Sequence, residues 1–236
     1  MSKAVRDSES VRGIIDSSPL LRSLTEDQKE TIASVSRLKH TDKGSVIWTD
    51  GSQTDYFGLV GSGFVKMVKS SAAGTEMTLE LMGPGQIFGL LGVIAGMGCP
   101  LTAYGLTQTT YLKIPKLDFM DVFDRNVAMK DELLKRTALR MHQKLDFMTK
   151  LSSGSAEERL AAALLVLADS YGEHIDESIR LNVPLTRQAL AEIAGLTTET
   201  TIRVLSRWAQ EGLVKTDQHI ITISRPDSLT KRLEQA

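Results

Sequence analysis

The chain predicts an α+β protein with three parts: an N-terminal antiparallel β-roll, a long helix suited to dimerisation, and a C-terminal winged helix-turn-helix. Three observations carry this. Short β-rich runs punctuated by glycines fill residues 38–115. An apolar repeat with alternating steps of four and three runs from Leu134 to Met148. A helix–turn–helix pattern spans Thr186 to Val214. The expected boundaries are 1–126 for the roll with an N-terminal helix, 127–153 for the long helix and hinge, and 154–236 for the winged unit.

The tail to about Asp16 lacks apolar periodicity and is expected to be mobile. Thr25-Glu26-Asp27-Gln28 is a capping box that opens a helix, continued by Ile32 and Val35. Strands are expected at Val46–Thr49, Tyr56–Val60, Gly63–Val68, Met77–Met82, Leu101–Thr107 and Thr110–Ile114. Turn signals separate them at Lys43-Gly44, Asp50-Gly51, Gly61-Ser62-Gly63, Ala73-Gly74 and Gly83-Pro84-Gly85.

A helix over Val127 to Ser152 carries Leu134, Ala138, Met141, Leu145 and Met148, the seam of a two-stranded coiled coil. An amphipathic helix packed on its own domain has a similar stripe. The narrowness of this one, flanked by Lys135, Arg136, Arg140, Lys144 and Lys150, favours a second copy of the chain as partner. Ser152-Ser153-Gly154-Ser155 reads as a hinge, with Ser155 and Glu158 forming the capping box of the next helix.

In the winged unit, Thr186 caps a short helix and Thr197 caps a second one. Leu190, Ala194, Leu196 and Val204 take the apolar places that lock the two together, with small Ala191 and Gly195 at their crossing. Thr201 fills a place that is usually apolar. The second helix presents Thr198, Glu199, Ile202 and Arg203 outward. Glu199 and Arg203 lie four apart on one face, where they can form a salt bridge. Arginine also donates two parallel bonds to guanine, and glutamate accepts from the cytosine amino group, so base readout of duplex DNA is the sharper reading. Arg187 and Arg207 are candidates for phosphate contacts. Beyond Gly212, a hairpin with its turn at Asp217-Gln218 forms the wing, above a small core holding Trp208.

Composition sets limits. At 42% hydrophobic and 24% charged, the chain can build a core. The apolar runs Ile87–Ala95 and Leu160–Ala168 are too short to span a membrane, and the N-terminus has no secretory apolar region, so a cytoplasmic protein without a membrane partner is expected. One cysteine, Cys99, excludes an internal disulfide, a Cys-rich zinc site and an all-cysteine iron–sulfur cluster. His40, His142, His174 and His219 lack metal-ligand spacing, and no nucleophile–base pair or phosphate loop is present. No catalytic or metal residue is therefore assigned, and an enzyme is not expected. The net charge is −1, and residues 157–236 carry nine Lys/Arg against twelve Asp/Glu. Bulk charge does not announce DNA; the motif must carry that reading.

The motifs resemble the Crp/Fnr superfamily of transcription regulators over nearly the whole length. Ala156-Glu157-Glu158-Arg159-Leu160-Ala161-Ala162 and Gly195-Leu196-Thr197-Thr198-Glu199-Thr200-Thr201-Ile202-Arg203 are similar to the Fnr branch, whose pattern is G-x-[ST]-x-E-T-x-x-R. Lys43-Gly44, Gly51, Gly61, Gly63, Gly74, Gly85 and Phe88-Gly89 resemble the β-roll of cyclic-nucleotide-binding domains. The resemblance implies a homodimer on a near-palindromic site, regulating RNA polymerase. In the Fnr branch a serine stands where Ile202 does and helps read the outer thymine of the half-site.

Two departures concern the effector. Family members that bind cyclic nucleotides carry F-G-E and R-[ST]-A, the Glu on the ribose hydroxyl and the Arg on the cyclic phosphate. Here the matching residues are Phe88-Gly89-Leu90 and Leu101-Thr102-Ala103. A phosphate buried beside Leu101 lacks its charge partner, which disfavours cyclic AMP. What remains, Phe88, Gly89, Leu90, Leu91, Val93, Ile94, Met97, Cys99, Leu101 and Thr102, is either a pocket for an apolar ligand or haem, or a filled core. Cys99 is either a redox sensor or haem ligand, or a structural thiol. The competing functional reading is a ligand-binding module sensing haem, gas, redox state or an apolar molecule, with DNA binding secondary.

Overall fold

The computed structural model describes residues 11–71 and 74–234; residues 1–10 of the expected tail and Ala73 of the Ala73-Gly74 turn lie outside them. Two compact units result, one closing at Ala138 and the other running on from Leu139.

The first unit opens on a helix, α1 (residues 11–17), and this corrects the expectation of a mobile tail up to Asp16. Val11 and Ile15, one turn apart, are buried in a core with Leu20, Leu21 and Leu24. Three apolar residues, Val11, Ile14 and Ile15, within two turns are too short a stretch to establish a period in sequence. The burial of Val11 and Ile15, about 1.5–3 kcal/mol for each side chain, fixes the helix. A 3-10 turn, Leu21–Ser23, leads to α2 (Glu26–Val35). Its capping box forms as expected: Gln28 N–H donates to Thr25 Oγ1 at 3.3 Å, and Thr25 N–H donates to Gln28 Oε1 at 3.1 Å.

Next come β1 (Arg37–Thr41), β2 (Val46–Trp48), β3 (Tyr56–Ser62), β4 (Val65–Ser70), β5 (Glu76–Met82), β6 (Ile87–Phe88), α3 (Leu90–Ala95), β7 (Thr102–Gly105) and β8 (Thr109–Pro115). They form two four-stranded sheets, in the orders β1-β8-β3-β6 and β2-β7-β4-β5. Alternation along the strands builds two cores. Phe57 and Leu59 of β3, with Leu112 and Ile114 of β8, face the helices. Val60 and Tyr111 face the other sheet, where they meet Trp48, Val65, Met67, Met82, Phe88, Cys99 and Ala103.

Two helices follow, α4 (Lys116–Asp124) and α5 (Val127–Ser153), the second leaving the unit after Ala138. Phe119 of α4 packs edge-on against Phe57, ring centroids 4.7 Å apart. Asn126 caps α5, its Oδ1 accepting from Met129 N–H at 2.9 Å. Met129 is buried and Leu133 packs beside it, so the first turns of α5 belong to their own core. Beyond them the stripe changes character: Leu134, Ala138, Met141, Leu145 and Met148 are all exposed in the single chain.

The second unit holds α6 (Ala156–Tyr171), β9 (Gly172–Ile175), β10 (Ser178–Leu181), α7 (Arg187–Ala194), α8 (Thr198–Gln210), β11 (Val214–Asp217), β12 (Ile220–Ile223) and α9 (Pro226–Glu234). The Ser155–Glu158 capping box forms at α6. The wing differs from the expected two-stranded hairpin. Its sheet has the order β11-β12-β10-β9, so a second hairpin supports it. The wing turn also lies one residue later than expected, at Gln218-His219. Both adopt positive φ, the conformation that a two-residue hairpin turn requires. Leu185 N–H donates to the His219 carbonyl at 2.8 Å, which helps hold that register.

Candidate nucleic-acid interface and sensor cassette

Helices α7 and α8 owe their geometry to three local devices. Thr186 Oγ1 accepts from Ala189 N–H at 3.1 Å and starts α7; Thr197 Oγ1 accepts from Thr200 N–H at 3.2 Å and starts α8. Between them Gly195 ends α7 with φ +60°, a left-handed cap that a side chain would strain. The sequence suggests Gly195 as a small residue at a helix crossing; its observed place is this cap, with the Arg159 guanidinium against it. Arg159, on α6, donates to the carbonyls of Ala194 (3.2 Å) and Gly195. Sequence reasoning assigns Arg159 no such part, because its partners are backbone atoms 35 and 36 residues away.

Helix α8 is strongly two-sided. Thr201, Val204, Leu205 and Trp208 are buried, and Thr201 fits the apolar place because its Oγ1 turns back to the Thr197 carbonyl at 3.1 Å. Leu190 and Ala194 are buried across from them, while Leu196 is half-buried. The opposite face presents Thr198, Glu199, Ile202 and Arg203 to solvent, with Ile202 46% exposed. Glu199 and Arg203 do not form the i,i+4 ion pair that their spacing allows; among the described residues neither has an internal partner.

The two phosphate candidates are placed differently. Arg187, the first residue of α7, is half-buried; its Nη2 donates to Thr216 Oγ1 on β11 at 3.1 Å, while Nη1 is buried without a partner. Burial lowers its pKa from the usual arginine value. Arg207, one turn beyond Arg203, forms an ion pair with Glu157 of α6.

The cassette residues separate into three places. Phe88, Cys99 and Leu101 meet in the inter-sheet core, with Gly89 behind Trp48. Leu90 and Val93 turn into the helical core instead, with Ile94 packed beside them. Leu91 and Met97 are exposed. The inter-sheet space is occupied by aromatic rings. Trp48 stacks on Phe88 (5.1 Å between centroids) and meets Tyr56 edge-on (5.8 Å), and Phe88 meets Tyr111 edge-on (5.6 Å). Gly58 makes this stack fit: a Cβ there would lie 2.1 Å from the Phe88 ring.

Several polar groups nearby are already engaged. Trp48 Nε1 donates to the Leu101 carbonyl (3.2 Å), and Thr102 Oγ1 accepts from Asp50 N–H (3.0 Å). Lys69 pairs with Asp50 (2.7 Å) and donates to the Pro100 carbonyl (3.0 Å). With leucine at both key places and aromatic rings in the space, these residues do not fit a cyclic nucleotide. The Cys99 thiol is buried, which pushes its pKa up, against the thiolate that redox or metal chemistry uses.

No helix is long and apolar enough to cross a membrane among the described residues. Residues 38–126 match the cyclic nucleotide-binding domain family, and residues 158–232 match the Crp-like helix-turn-helix domain family. The cyclic AMP receptor protein of Thermus thermophilus is 27% identical over 198 residues, covering 84% of this chain and 88% of that one. The anaerobic regulatory protein of Haemophilus influenzae is 26% identical, covering 84% and 76%. The structure of FixK2 from Bradyrhizobium japonicum has the same fold, with a TM-score of 0.73 at 22% identity, covering 84% of this chain and 96% of that one. Roll, helix-turn-helix and relatives agree: the chain belongs to the Crp/Fnr superfamily, as a DNA-binding transcription regulator.

Proposed function

We propose that the chain works as a homodimer on a near-palindromic duplex site, with α8 laid in the major groove. The observation that carries this is the leading face of α8, where Glu199 and Arg203 are exposed without internal partners around an exposed Ile202. Arg203 meets a guanine edge, Glu199 accepts from a cytosine amino group, and Ile202 packs on a thymine methyl. Thr186, Thr198 and Arg187 face the backbone phosphates; the buried, unpartnered Nη1 of Arg187 sits at the start of α7, where a helix end favours an anion. Arg207 lies one turn further along, its charge shared with Glu157. The exposed stripe Leu134, Ala138, Met141, Leu145 and Met148 is covered by the same stripe of a second chain, which gives the protein the two-fold symmetry of its site.

The chain acts in the cytoplasm by changing how RNA polymerase uses a promoter, and it catalyses no reaction. Cyclic AMP, named for the Thermus thermophilus relative, is not its effector. The filled roll disfavours haem and other bulky ligands in the same way.

Arg203→Ala tests the reading. Duplex binding is measured at several salt concentrations on a site selected from random sequence and on unselected DNA. The unaltered chain binds both in a salt-dependent way and prefers the selected site. The variant loses about 1–3 kcal/mol of that preference. Equal weakening on both DNAs would remove Arg203 from base readout.

A further inference from the structure

One carboxylate in the winged unit collects three donors from two other helices. Glu157, in the first turn of α6, pairs with Arg207 of α8 through Oε1 and with Arg232 of α9 through Oε2 at 2.6 Å. Trp208 Nε1 donates to the same Oε2 at 3.4 Å. Arg232 also bridges to Glu211, at the C-terminal end of α8, at 2.7 Å. The cluster therefore holds two guanidinium groups against two carboxylates and is neutral. It is not a buried knot: the Arg207 side chain is 49% exposed and lies on the helix that faces DNA, while Glu157 is more sheltered.

We infer that Glu157 is a positioning residue that restrains Arg207 and so limits sequence-independent attraction to DNA. The physical reason is competition for one cation. A guanidinium paired with a carboxylate adds no net positive charge at the phosphate backbone, and it must loosen that pair to bind a phosphate in full. The surrounding charge makes this matter. Residues 157–236 hold only nine Lys/Arg against twelve Asp/Glu. Of those nine, Arg159 is engaged at the α7 cap, and Arg207 and Arg232 are closed on Glu157 and Glu211. Recognition is left to Arg203 and its neighbours, while arbitrary duplex is held weakly. This rests on the reading of α8 as the DNA-facing helix.

The test uses Glu157→Gln in the full chain, with affinity for unselected duplex read as a function of salt. Glutamine keeps the shape and an acceptor for Trp208 but gives up the charge that holds Arg207. One added phosphate contact steepens the logarithmic salt slope by about 0.9, so the fall in affinity between about 50 and 200 mM salt grows about 3.5-fold. Arg207→Gln in the same background should cancel this gain, whereas Arg207→Gln alone should leave the slope nearly unchanged. A merely structural Glu157 would shift the melting temperature and not the slope. An unchanged slope in Glu157→Gln overturns the inference; so does weaker binding on both DNAs with native melting, which would mean that Glu157 aims Arg207 at DNA. If Glu157→Gln does not fold, Arg207→Gln alone decides: an unchanged slope supports the restraint, and a slope shallower by about 0.9 overturns it, because Arg207 would then already hold a phosphate in the unaltered chain. An unaltered chain that binds no duplex at all would overturn the DNA-facing reading of α8 itself, a result distinct from a wild-type slope in Glu157→Gln.

Discussion

The outward face of α8 and the interior of the β-roll use their side chains in opposite ways. On α8, Glu199 and Arg203 could satisfy each other and do not, and Ile202 stays exposed where the fold has no use for it. In the roll, Trp48, Phe88, Tyr56 and Tyr111 pack against one another, and the Trp48 indole N–H and the Thr102 hydroxyl beside them are bonded within the protein. A face whose donors and acceptors are left open is built for a partner. An interior filled by packed rings is built for stability, even where the fold elsewhere houses a ligand.

The sharpest way to break that contrast is to empty the roll. Phe88→Ala removes the ring that stacks on Trp48 and meets Tyr111, and should cost about 3–5 kcal/mol of stability if the space is a filled core. Glu199→Ala, on the exposed face, should cost less than about 0.5 kcal/mol. Denaturant unfolding followed by tryptophan fluorescence reads both, with Trp48 in the roll and Trp208 in the winged unit. A cost below about 1 kcal/mol for Phe88→Ala would mean that the roll has room for an occupant.

The stripe on α5 belongs with the outward class. Met141 is 62% exposed and Leu145 53%, with Arg140 beside the first and Lys144 beside the second. In the proposed dimer, Met141→Glu or Leu145→Glu brings two carboxylates together across the two-fold seam, where neither can stay desolvated. The dimer should dissociate at micromolar concentration in sedimentation, and affinity for a two-half-site operator should fall by roughly 10²- to 10⁴-fold as the linkage of the two readers is lost. Intact dimers of both variants would place the interface elsewhere.

How much of this was legible in the sequence follows the same division. The caps at Thr25, Ser155, Thr186 and Thr197 were readable because each bonds to an amide three residues away. The face of α8 was readable because helical spacing alone sorts buried from exposed. By contrast, β1 (Arg-Leu-Lys-His-Thr) has no alternation of its own; it is a strand because it pairs with β8 along its length. The run Ile87–Ala95 divides into β6 and α3 at Gly89, so its residues enter two different cores. Gly58 gives no sign in sequence that the Phe88 ring needs its missing side chain. The Arg159 cap and the Glu157 cluster join residues 21 to 75 positions apart, beyond any local pattern.

The closed roll also predicts an alkaline pH response. Burial raises the Tyr111 phenol from its usual 10.0 to about 12, with Tyr56 and Cys99 shifted in the same direction. The folded state therefore favours the neutral phenol. That contribution is complete below pH 10 and is lost as the pH rises from 10 towards 12, on the order of 2–3 kcal/mol for Tyr111. Tyr111→Phe should flatten the alkaline limb of the roll's stability, read through Trp48, and leave the Trp208 signal as it was. An alkaline limb of equal steepness in the variant would assign it to other groups.

The smallest expected effect tests the outward face most finely. Ile202 stands where the Fnr branch has serine, and a hydroxyl can bond a base edge while a sec-butyl group cannot. An isoleucine at the groove has one useful contact, the C5-methyl of thymine. Ile202 is only 46% exposed, so docking can cover little more than a methyl group's worth of new surface, about 0.8 kcal/mol or roughly fourfold in affinity. Site selection with the unaltered chain should therefore return inner positions like those of the Fnr branch, set by Glu199 and Arg203, and an altered, softer preference at the outer base pair. Ile202→Ser should move the outer preference alone, with folding stability unchanged, because the side chain packs on nothing that the fold requires. If the two proteins select the same half-site at every position, Ile202 does not touch a base, and α8 enters the groove at an angle that spares its first turn and a half.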